Sequence, residues 1–192
     1  MAVSTFQTEQ YTSAHFVESA GVVLLETRTR KVCLVHYKAK DEWLLPKGRR
    51  NVCESRQSAA LREAKEETGY TCAMLAVEMV TRAPPPGEDV DDIAYHHGTE
   101  LAGEPFMVTM RHLHKRHVKV IWWYVAAIDM AVRKGDGEAL FEPGLFSFEE
   151  ALSAWAAYVP KRSGRGCSCF GSLWRQYWLN GIPAKAVKND AR

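Results

Sequence analysis

The sequence predicts a single mixed α/β domain, with a mixed sheet flanked by helices. Its 192 residues are enough for one well-formed core and few for two. Apolar residues make up 46% and charged residues 25% of the chain, which excludes a disordered or fibrous protein. The hydrophobic pattern then gives the order β–β–β–helix–β–β–β–β–helix–helix, without an internal repeat.

The domain is expected to occupy residues 18–182, between a flexible polar arm at 1–17 and a tail at 183–192. The first residues lack the basic start and apolar core of a secretory signal, and no apolar run is long enough to cross a bilayer. Five scattered cysteines suit free thiols in a reducing compartment. We therefore expect a cytoplasmic protein with no membrane partner. The alternative is a secreted protein that has lost its leader and acts in another cell's cytosol.

The domain begins with three predicted strands. Residues 20–25 and 31–37 are rich in β-branched side chains and are separated by a polar turn, which is the pattern of a hairpin. Residues 42–45 form a further short strand, which Pro46 and Gly48 are expected to end.

Residues 55–68 give the strongest helix prediction in the chain. Ser55 suits the N-cap, and Gly69 suits the left-handed position that ends a helix. Ala60 and Ala64 lie on one side of a helical wheel, so we expect this side to pack against the sheet.

The second half of the domain is predicted to complete the sheet and to add two helices. An acidic segment containing Pro and Gly, residues 82–103, is expected to be a long loop of the kind that often acts as a lid or binding loop. The other predicted elements are strands at residues 71–80, 105–110, 118–129 and 141–148 and helices at residues 149–158 and 170–179.

Three glutamates lie close together on the predicted helix. Glu63, Glu66 and Glu67 are spaced i, i+3 and i+4, so their side chains project from one face. Like charges at this spacing repel by about 0.2–0.5 kcal/mol per pair, and carboxylates in the last turn also oppose the helix dipole. Mg²⁺ or Mn²⁺ would relieve the repulsion, because both prefer oxygen ligands and bridge carboxylates to phosphates. A solvated acidic face is the alternative on three glutamates alone.

The residues that precede the glutamates decide between these two interpretations. Gly48 is followed after five residues by Glu54, and after seven more by the run REAKEETGY, which begins at Arg62. This pattern resembles the Nudix box, G-x5-E-x7-R-E-U-x-E-E-x-G-U, where U is a bulky or aliphatic residue. Every fixed position matches, and only Ala64 is small for U. The resemblance implies the α/β/α sandwich with a mixed sheet that Nudix hydrolases share, which the predicted order of strands also supports.

The resemblance further implies hydrolysis of a phosphoanhydride bond, such as that of a nucleoside diphosphate linked to another moiety. The implied cofactor is Mg²⁺, with Mn²⁺ as a substitute. The implied metal ligands are Gly48, through its carbonyl oxygen, and Glu63, Glu66 and Glu67.

The catalytic residues that the resemblance implies are Glu66, Glu63 and Arg62. Glu66 would act as general base or as third metal ligand, since the family varies in which acid takes the proton. Arg62, together with Glu54, would buttress the acids. Some members of the family use a further acid from a distal loop, for which Glu100 and Glu104 are candidates.

Basic residues gather on both sides of the box. The segment from Ala83 to Glu104 carries six acids and no Lys or Arg, so the rest of the chain carries +8 although the whole carries +2. Such a density of cations suits a highly phosphorylated small molecule better than a nucleotide with two phosphates, although solvated turns are the simpler alternative. The residues expected to bind it are Lys38, Lys40, Lys47, Arg49, Arg50, Lys115, Arg116 and Lys161. Arg111 and Lys119 belong to the same basic hairpin as Lys115.

These surroundings resemble the diphosphoinositol polyphosphate phosphohydrolase branch of the Nudix family. That branch has a basic cluster running into an aromatic strand, as KRHVKVIWWYV does here, and basic residues ahead of the box, as in KAKDEWLLPKG. The late segment YVPKRSGRGCSCFGSLW is also similar. The chain departs from the branch in its acidic segment and in having PKGR in place of PGGG, which is similar to secreted fungal Nudix effectors. The favoured substrate is therefore an inositol pyrophosphate, which would lose its β-phosphate as orthophosphate.

Four alternatives stay open. Dinucleoside polyphosphate hydrolysis needs the same catalytic face. ADP-ribose hydrolases of the family carry a Pro beyond the box, and residues 84–86 are three prolines. Decapping of mRNA would make capped RNA a partner, although no RNA-binding motif accompanies the basic hairpin. A module that senses a polyphosphate without cleaving it would gain nothing obvious from three glutamates that repel one another.

Overall fold

The computed structural model describes residue 6 and residues 8–88, 90–97 and 103–156. The predicted helix at 170–179, the tail, Glu100 and Lys161 lie outside the described residues. The strands are β1 Phe16–Glu26, β2 Lys31–Tyr37, β3 Glu42–Leu44, β4 Lys47–Arg49, β5 Cys72–Met74, β6 Met79–Thr81, β7 Tyr95–His97, β8 Met107–His112, β9 Val118–Ile128 and β10 Phe141–Phe146. The helices are α1 Arg56–Thr68, α2 Phe148–Ala156 and the 3-10 turn His114–Arg116. None of the helices in these ranges is long and apolar enough to span a membrane.

One large mixed sheet forms the centre of the fold and does not close on itself. Its strands follow the order β10-β2-β1-β9-β5, while β3 pairs with β2, β4 with β1 and β8 with β9. The long strands β1 and β9 run parallel from the pair Phe16 and Val118 to the pair Leu25 and Ala127. The other pairings seen in the described part of the chain are antiparallel. The mixed α/β fold predicted from the sequence is confirmed.

Each face of the sheet carries its own apolar cluster and its own helix. Because side chains alternate along a strand, successive residues of β1 and β9 contribute to opposite clusters. Helix α1 packs Ala59, Ala60 and Ala64, all fully buried, onto one face. Helix α2 packs Phe148 and Ala151 onto the other. The described part of the chain is therefore a helix–sheet–helix sandwich.

The first strand extends further than the sequence predicts, and an additional short strand follows Pro46. Strand β1 begins at Phe16, inside the predicted arm, because its parallel ladder with β9 continues to Val118. Strand β3 ends at Leu44, before Pro46, as predicted, but Gly48 lies in a further strand, β4, which pairs with residues 19–21 of β1. That pairing fixes Gly48 between the edge of the sheet and helix α1.

The predicted strand at residues 71–80 is two strands, β5 and β6, on different sheets. Strand β6 pairs with β7, which lies within the segment predicted to be a loop. The same segment is held by Arg82, whose Nε donates to Asp92 Oδ1 at 2.9 Å. The first part of the acidic segment is therefore the loop of a hairpin, in which β6, just before the segment, pairs with β7 inside it.

Candidate active site

Helix α1 is fixed at both ends by the caps that the sequence predicts. The N–H of Ser58 donates to Ser55 Oγ at 3.0 Å at the N-terminus. Gly69 adopts the left-handed conformation with φ 74°, and its N–H donates to the Lys65 carbonyl at 2.8 Å. These bonds satisfy backbone groups that the helix leaves unpaired. The helix then carries its three glutamates along the edge strand β4.

Glu63 lies directly against Gly48. A Cβ on Gly48 would overlap the carboxylate of Glu63, so only glycine leaves room for that carboxylate. Burial raises the pKa of Glu63; Arg62 opposes this rise, and the charges of Glu66 and Glu138 add to it. The first and last parts of the box thus meet in space, as the motif implies.

Glu67 is the most deeply buried of the three acids, with 5% of its surface exposed. Its Oε2 accepts the backbone N–H of Lys47 at 2.9 Å. Burial raises the pKa of Glu67 to about 7, despite the attraction of Lys47, and the charges of Glu63 and Glu138 act in the same direction as burial. A carboxylate in this position is stabilised by a proton or by a cation.

Arg62 connects the acids to the loop before the helix. Its Nε and Nη2 donate to the two carboxylate oxygens of Glu54 at 2.8 and 2.9 Å, as a bidentate pair. Its Nη1 donates to Glu63 Oε1 and to Glu66 Oε2, both at 2.8 Å, and Nη2 also reaches the Arg49 carbonyl at 2.9 Å. The hydrogen bond from Arg62 lowers the pKa of Glu54. Arg62 therefore orients three carboxylates at once.

A fourth acid, Glu138, approaches from the loop between β9 and β10. Its N–H donates to the Glu66 carbonyl at 2.8 Å. A Cβ on Gly137 would lie 3.2–3.3 Å from backbone atoms at the end of α1, so a small residue is needed there. Glu138 also contributes to the raised pKa values of Glu63 and Glu67. Sequence reasoning missed Glu138 because only the fold brings this loop to the helix, and Gly137 was the one signal of close approach.

The donor atoms of this cluster suit a hard divalent cation. No three acid, imidazole or thiol groups among the described residues stand at the spacing of a preformed metal site. Arg62 instead holds one oxygen each of Glu63 and Glu66. The residues still fit such an ion, since they offer carboxylate oxygens from several acids. Burial raises the pKa of two of these acids, Glu63 and Glu67, and the missing side chain of Gly48 lets the Glu63 carboxylate lie against the edge of the sheet.

The basic residues expected to bind substrate divide between the two faces of the sheet. Lys47 and Arg49 pair with residues of β1 whose side chains face α2, and Lys119 senses the charges of both. Arg50 lies on the α1 side, where its Nε donates to Glu18 Oε2 at 3.0 Å. Lys47 and Arg49 therefore lie together on one face of the sheet, whereas Arg50 lies on the other.

Arg50 borders a cavity of about 550 Å³ on the α1 side, which Glu104 and Trp122 also line. Arg56 lies 4.2 Å above the ring of Trp122, and its Nη2 donates to Glu18 Oε1 at 2.6 Å. Glu104 is thus placed beside the N-terminal end of α1, away from the end that carries the glutamates.

The remaining candidates lie at exposed turns. Lys38 and Lys40 are in the turn between β2 and β3, where Lys38 Nζ donates to the Ala139 carbonyl at 3.3 Å, one residue from Glu138. Lys115 and Arg116 are exposed at the tip of the β8–β9 hairpin. Arg111 and Lys119 are paired in the ladder of that hairpin, closer to the catalytic edge than its tip.

The sequence of this chain matches one family model and one curated protein. The NUDIX domain family model matches residues 15–161. Over 73 residues the chain is 36% identical to an 8-oxo-(d)GTP phosphatase of Mycolicibacterium smegmatis, and the match covers 32% of this chain and 23% of that protein. The chain therefore matches less than a quarter of the length of this curated relative.

Solved structures share the fold. A NUDIX hydrolase from Nitrosomonas europaea has a TM-score of 0.54 at 13% identity, covering 83% of this chain and 88% of that one. The Ap4A hydrolase of C. elegans has a TM-score of 0.50 at 17% identity, covering 86% and 98%. At these identities the likeness shows the fold alone. Because the family model matches most of the chain, including the whole of the box, the chain belongs to the NUDIX domain family.

Proposed function

We propose that this protein is a Mg²⁺-dependent pyrophosphohydrolase that cleaves phosphoanhydride bonds, with inositol pyrophosphates as its substrates. The observation that supports this best is the cluster of Glu63, Glu66 and Glu67, in which Arg62 orients the first two, close to a group of cations. Such a cluster costs the folded chain stability through repulsion and burial, and it suits the binding of metal and phosphate together.

The three glutamates would hold the ion, with Mn²⁺ as a substitute. When bound, the ion would neutralise charge on the phosphate oxygens and lower the pKa of a water molecule. Glu67 would release its proton on binding, since its pKa is about 7 in the metal-free chain. Gly48 keeps the Glu63 carboxylate against the edge of the sheet, where substrate can reach it.

Glu66 is the best placed of the three acids to take a proton. Its side chain is 43% exposed, whereas that of Glu63 is 14% exposed. Arg62 holds one oxygen of Glu66, which leaves the other free to accept. In the proposed reaction the water oxygen forms a bond to phosphorus, the bridging P–O bond breaks towards the leaving phosphate, and the water proton passes to Glu66.

The choice of an inositol pyrophosphate depends on sequence resemblance and on charge. The segment KRHVKVIWWYV runs from the tip of the β8–β9 hairpin along β9. Its Lys119 is close enough to Glu63 for the charge of Glu63 to affect the pKa of Lys119. Dinucleoside polyphosphates are the second candidate, because the chain shares its fold with an Ap4A hydrolase. Both kinds of molecule carry more phosphates than the pair that is cleaved.

A panel of substrates tests the proposal. Purified protein with Mg²⁺ is offered an inositol pyrophosphate, diadenosine tetraphosphate, ADP-ribose, capped RNA and 8-oxo-dGTP, and products are separated by chromatography. We expect the inositol pyrophosphate to be consumed fastest and to yield orthophosphate. Consumption of ADP-ribose or 8-oxo-dGTP alone would show that the substrate class is wrong. No consumption by protein that binds Mg²⁺ would favour a polyphosphate sensor.

A further inference from the structure

Four strands bring cations from distant parts of the chain to one face of the sheet. Arg49 pairs with Ser19 and Lys47 with Gly21 across β4 and β1. Lys119 pairs with Val17 across β9 and β1, and with Arg111 across β9 and β8. Paired residues of neighbouring strands point to the same face of a sheet, and so do alternate residues along one strand. These pairings therefore place the four cations on the same face as Trp123, whose side chain packs in the cluster under α2. The four cations therefore lie on the α2 face, at the end of the sheet near Gly48.

Within the described residues, no ion pair neutralises any of these four cations. None of their side chains forms a hydrogen bond or an ion pair with another residue in the described ranges. Lys119 is half-buried, and its pKa is lowered by burial and then by the charges of Lys47, Arg111 and Arg49. Cations gathered in this way repel one another unless an anion joins them.

The Ser19 hydroxyl lies at the base of this group. Ser19 is fully buried on β1 between its pairing partners Arg49 and Ile121. Its Oγ has no hydrogen-bond partner among the residues that the structure describes. Buried hydroxyls are nearly always paired, because an unpaired one loses the hydrogen bonds that water gives it in the unfolded chain. An anion bound among the side chains of the four cations would accept a hydrogen bond from the Ser19 hydroxyl, which lacks a partner among the described residues.

The cations and the carboxylates lie on opposite sides of strand β4. Gly48 meets Glu63 on the side of α1, whereas Lys47 and Arg49, its neighbours in sequence, project towards the other face. Glu63 still affects the pKa of Lys119, so the two groups are within electrostatic range across the strand edge. One substrate could therefore reach both groups, with different phosphates at each.

We propose that Lys47, Arg49, Arg111 and Lys119 form a phosphate cradle, with the Ser19 hydroxyl at its base, that binds a phosphate other than the two joined by the cleaved bond. The place of the cradle in the reaction rests on the proposed function, whereas its binding of phosphate requires neither metal nor hydrolysis. Substrates with three or more phosphates engage both groups. ADP-ribose, whose two phosphates both belong to the cleaved bond, leaves the cradle empty.

Calorimetric titration of metal-free protein with myo-inositol hexakisphosphate in EDTA tests the cradle, because this probe has no phosphoanhydride bond. We expect Lys119→Met to weaken binding at least about tenfold and Arg111→Met about threefold to tenfold, since each removes charged donors. Ser19→Ala should weaken it about threefold. The matched controls are Lys31→Met, at the exposed far end of β2, and Ser153→Ala, on the exposed face of α2. Both controls should bind as the wild type does.

The outcomes separate this inference from the proposed function. Equal affinity of Lys119→Met, Arg111→Met and Lys31→Met, or no measurable binding by the wild type, would overturn the cradle. Circular dichroism checks that each variant is folded, and Arg111→Met on the exposed edge strand β8 remains informative if Lys119→Met does not fold. Tight binding that depends on Lys119, together with no hydrolysis in Mg²⁺, would keep the cradle and reject the proposed enzyme.

Discussion

Arg62 shows how much of a site depends on one side chain. It donates to Glu54, Glu63 and Glu66, and it also reaches the Arg49 carbonyl. A planar guanidinium can make these bonds in one orientation, whereas an ammonium cannot reach all of them. The carboxylates therefore keep their places before any metal or substrate arrives.

Arg62→Lys should disorder this arrangement while keeping the charge. We expect turnover to fall at least about tenfold and the free energy of unfolding to fall by about 1–3 kcal/mol, because buried acceptors lose their donors. Steady-state kinetics and urea denaturation measure the two effects. Arg28→Lys, in the exposed turn after β1, is the control and should change neither. Wild-type turnover in Arg62→Lys would show that the acids do not need the guanidinium.

Glu67 should make the stability of the metal-free protein depend on pH. Its pKa is about 7 in the folded chain against an ordinary 4.5, so between these values only the folded state holds the proton. Proton binding thus favours folding in this window, and the contribution is lost as pH rises through 7. We expect the free energy of unfolding in EDTA to fall by roughly 2–3 kcal/mol between pH 5 and pH 8.

The comparison that isolates this effect is Glu67→Gln, which cannot titrate. Urea denaturation of both proteins across this range gives the difference between their free energies of unfolding, which removes the contribution that other titratable groups make equally to both proteins. Saturating Mg²⁺ should reduce the pH dependence of the wild type, because the cation replaces the proton. Parallel pH profiles for the two proteins would contradict the raised pKa.

At the scale of residues, the sequence predicts which residues belong to the candidate site better than it predicts which residues they contact. The spacing of the box identifies Gly48, Glu63 and Glu67, and the structure brings them together. The four residues that accept hydrogen bonds from Arg62, and the position of Glu138, depend on how the backbone folds, which the spacing of residues in the sequence does not reveal. Ser19 gives no sequence signal, because its unpaired hydroxyl is visible only once the sheet is formed.

At the scale of elements, strand β4 and helix α1 act as a pair. The three residues of β4 close the edge of β1, and this places Gly48 under the Glu63 carboxylate. The loop that carries Glu138 then packs on the last turn of α1. The acidic side of the site is thus defined by three features: the pairing of β4 with β1, the fit of Glu63 against Gly48, and the packing of the Glu138 loop on α1.

Gly48→Ala should disturb the contact between strand β4 and helix α1 at this one position. The added methyl group would displace the Glu63 carboxylate, which is the end of a flexible side chain, so the fold should survive. We expect turnover to fall about a hundredfold or more with little change in circular dichroism, since a misplaced group of this kind costs about that much. Gly135→Ala, where an added Cβ meets only the Gly69 carbonyl oxygen at 3.7 Å, an ordinary contact distance, should keep wild-type turnover. Full activity in Gly48→Ala would remove Glu63 from the site.

Glu138→Gln should weaken the acidic cluster without unfolding it. Removing this charge lowers the local negative potential that Glu63 and Glu67 sense. We expect the Mg²⁺ concentration that gives half-maximal activity to rise about threefold to tenfold. Asp136→Asn, two residues away in the same exposed loop, is the matched control. An unchanged Mg²⁺ requirement would show that Glu138 only holds the loop.

The elements themselves were largely predictable. Helix α1 and the hairpins β1–β2 and β8–β9 have strong local signals, and the structure confirms them. The pairing of β6 with β7 was missed, since charges and prolines hide short strands within an acidic segment. The parallel pairing of β1 with β9 joins residues about a hundred positions apart, which periodicity alone does not reveal.

At the scale of the whole molecule, charge is sorted by face and by segment. Acids gather at the end of α1, and cations gather on the α2 face of the neighbouring strands. The net charge of +2 hides this arrangement. The sequence predicts that both groups exist, whereas only the fold shows that one strand separates them, because alternation places neighbours such as Lys47 and Gly48 on opposite sides.

The family could be predicted from the sequence because seven fixed positions of the box must coincide, and the family match confirms it. The substrate depends on which cations converge. That grouping follows from strand register rather than from composition, as the pairing of Arg111 with Lys119 illustrates. The substrate therefore stays a proposal.

Release of orthophosphate from an inositol pyrophosphate, measured against Mg²⁺ concentration, tests the central claim most directly. We predict that the wild type requires Mg²⁺ and is silenced by EDTA. Glu66→Gln should lose at least about a hundredfold in turnover while its unfolding curve stays unchanged, because a positioned base contributes about that much. Hydrolysis that persists in EDTA, or a Glu66→Gln variant as fast as the wild type, would contradict the claim.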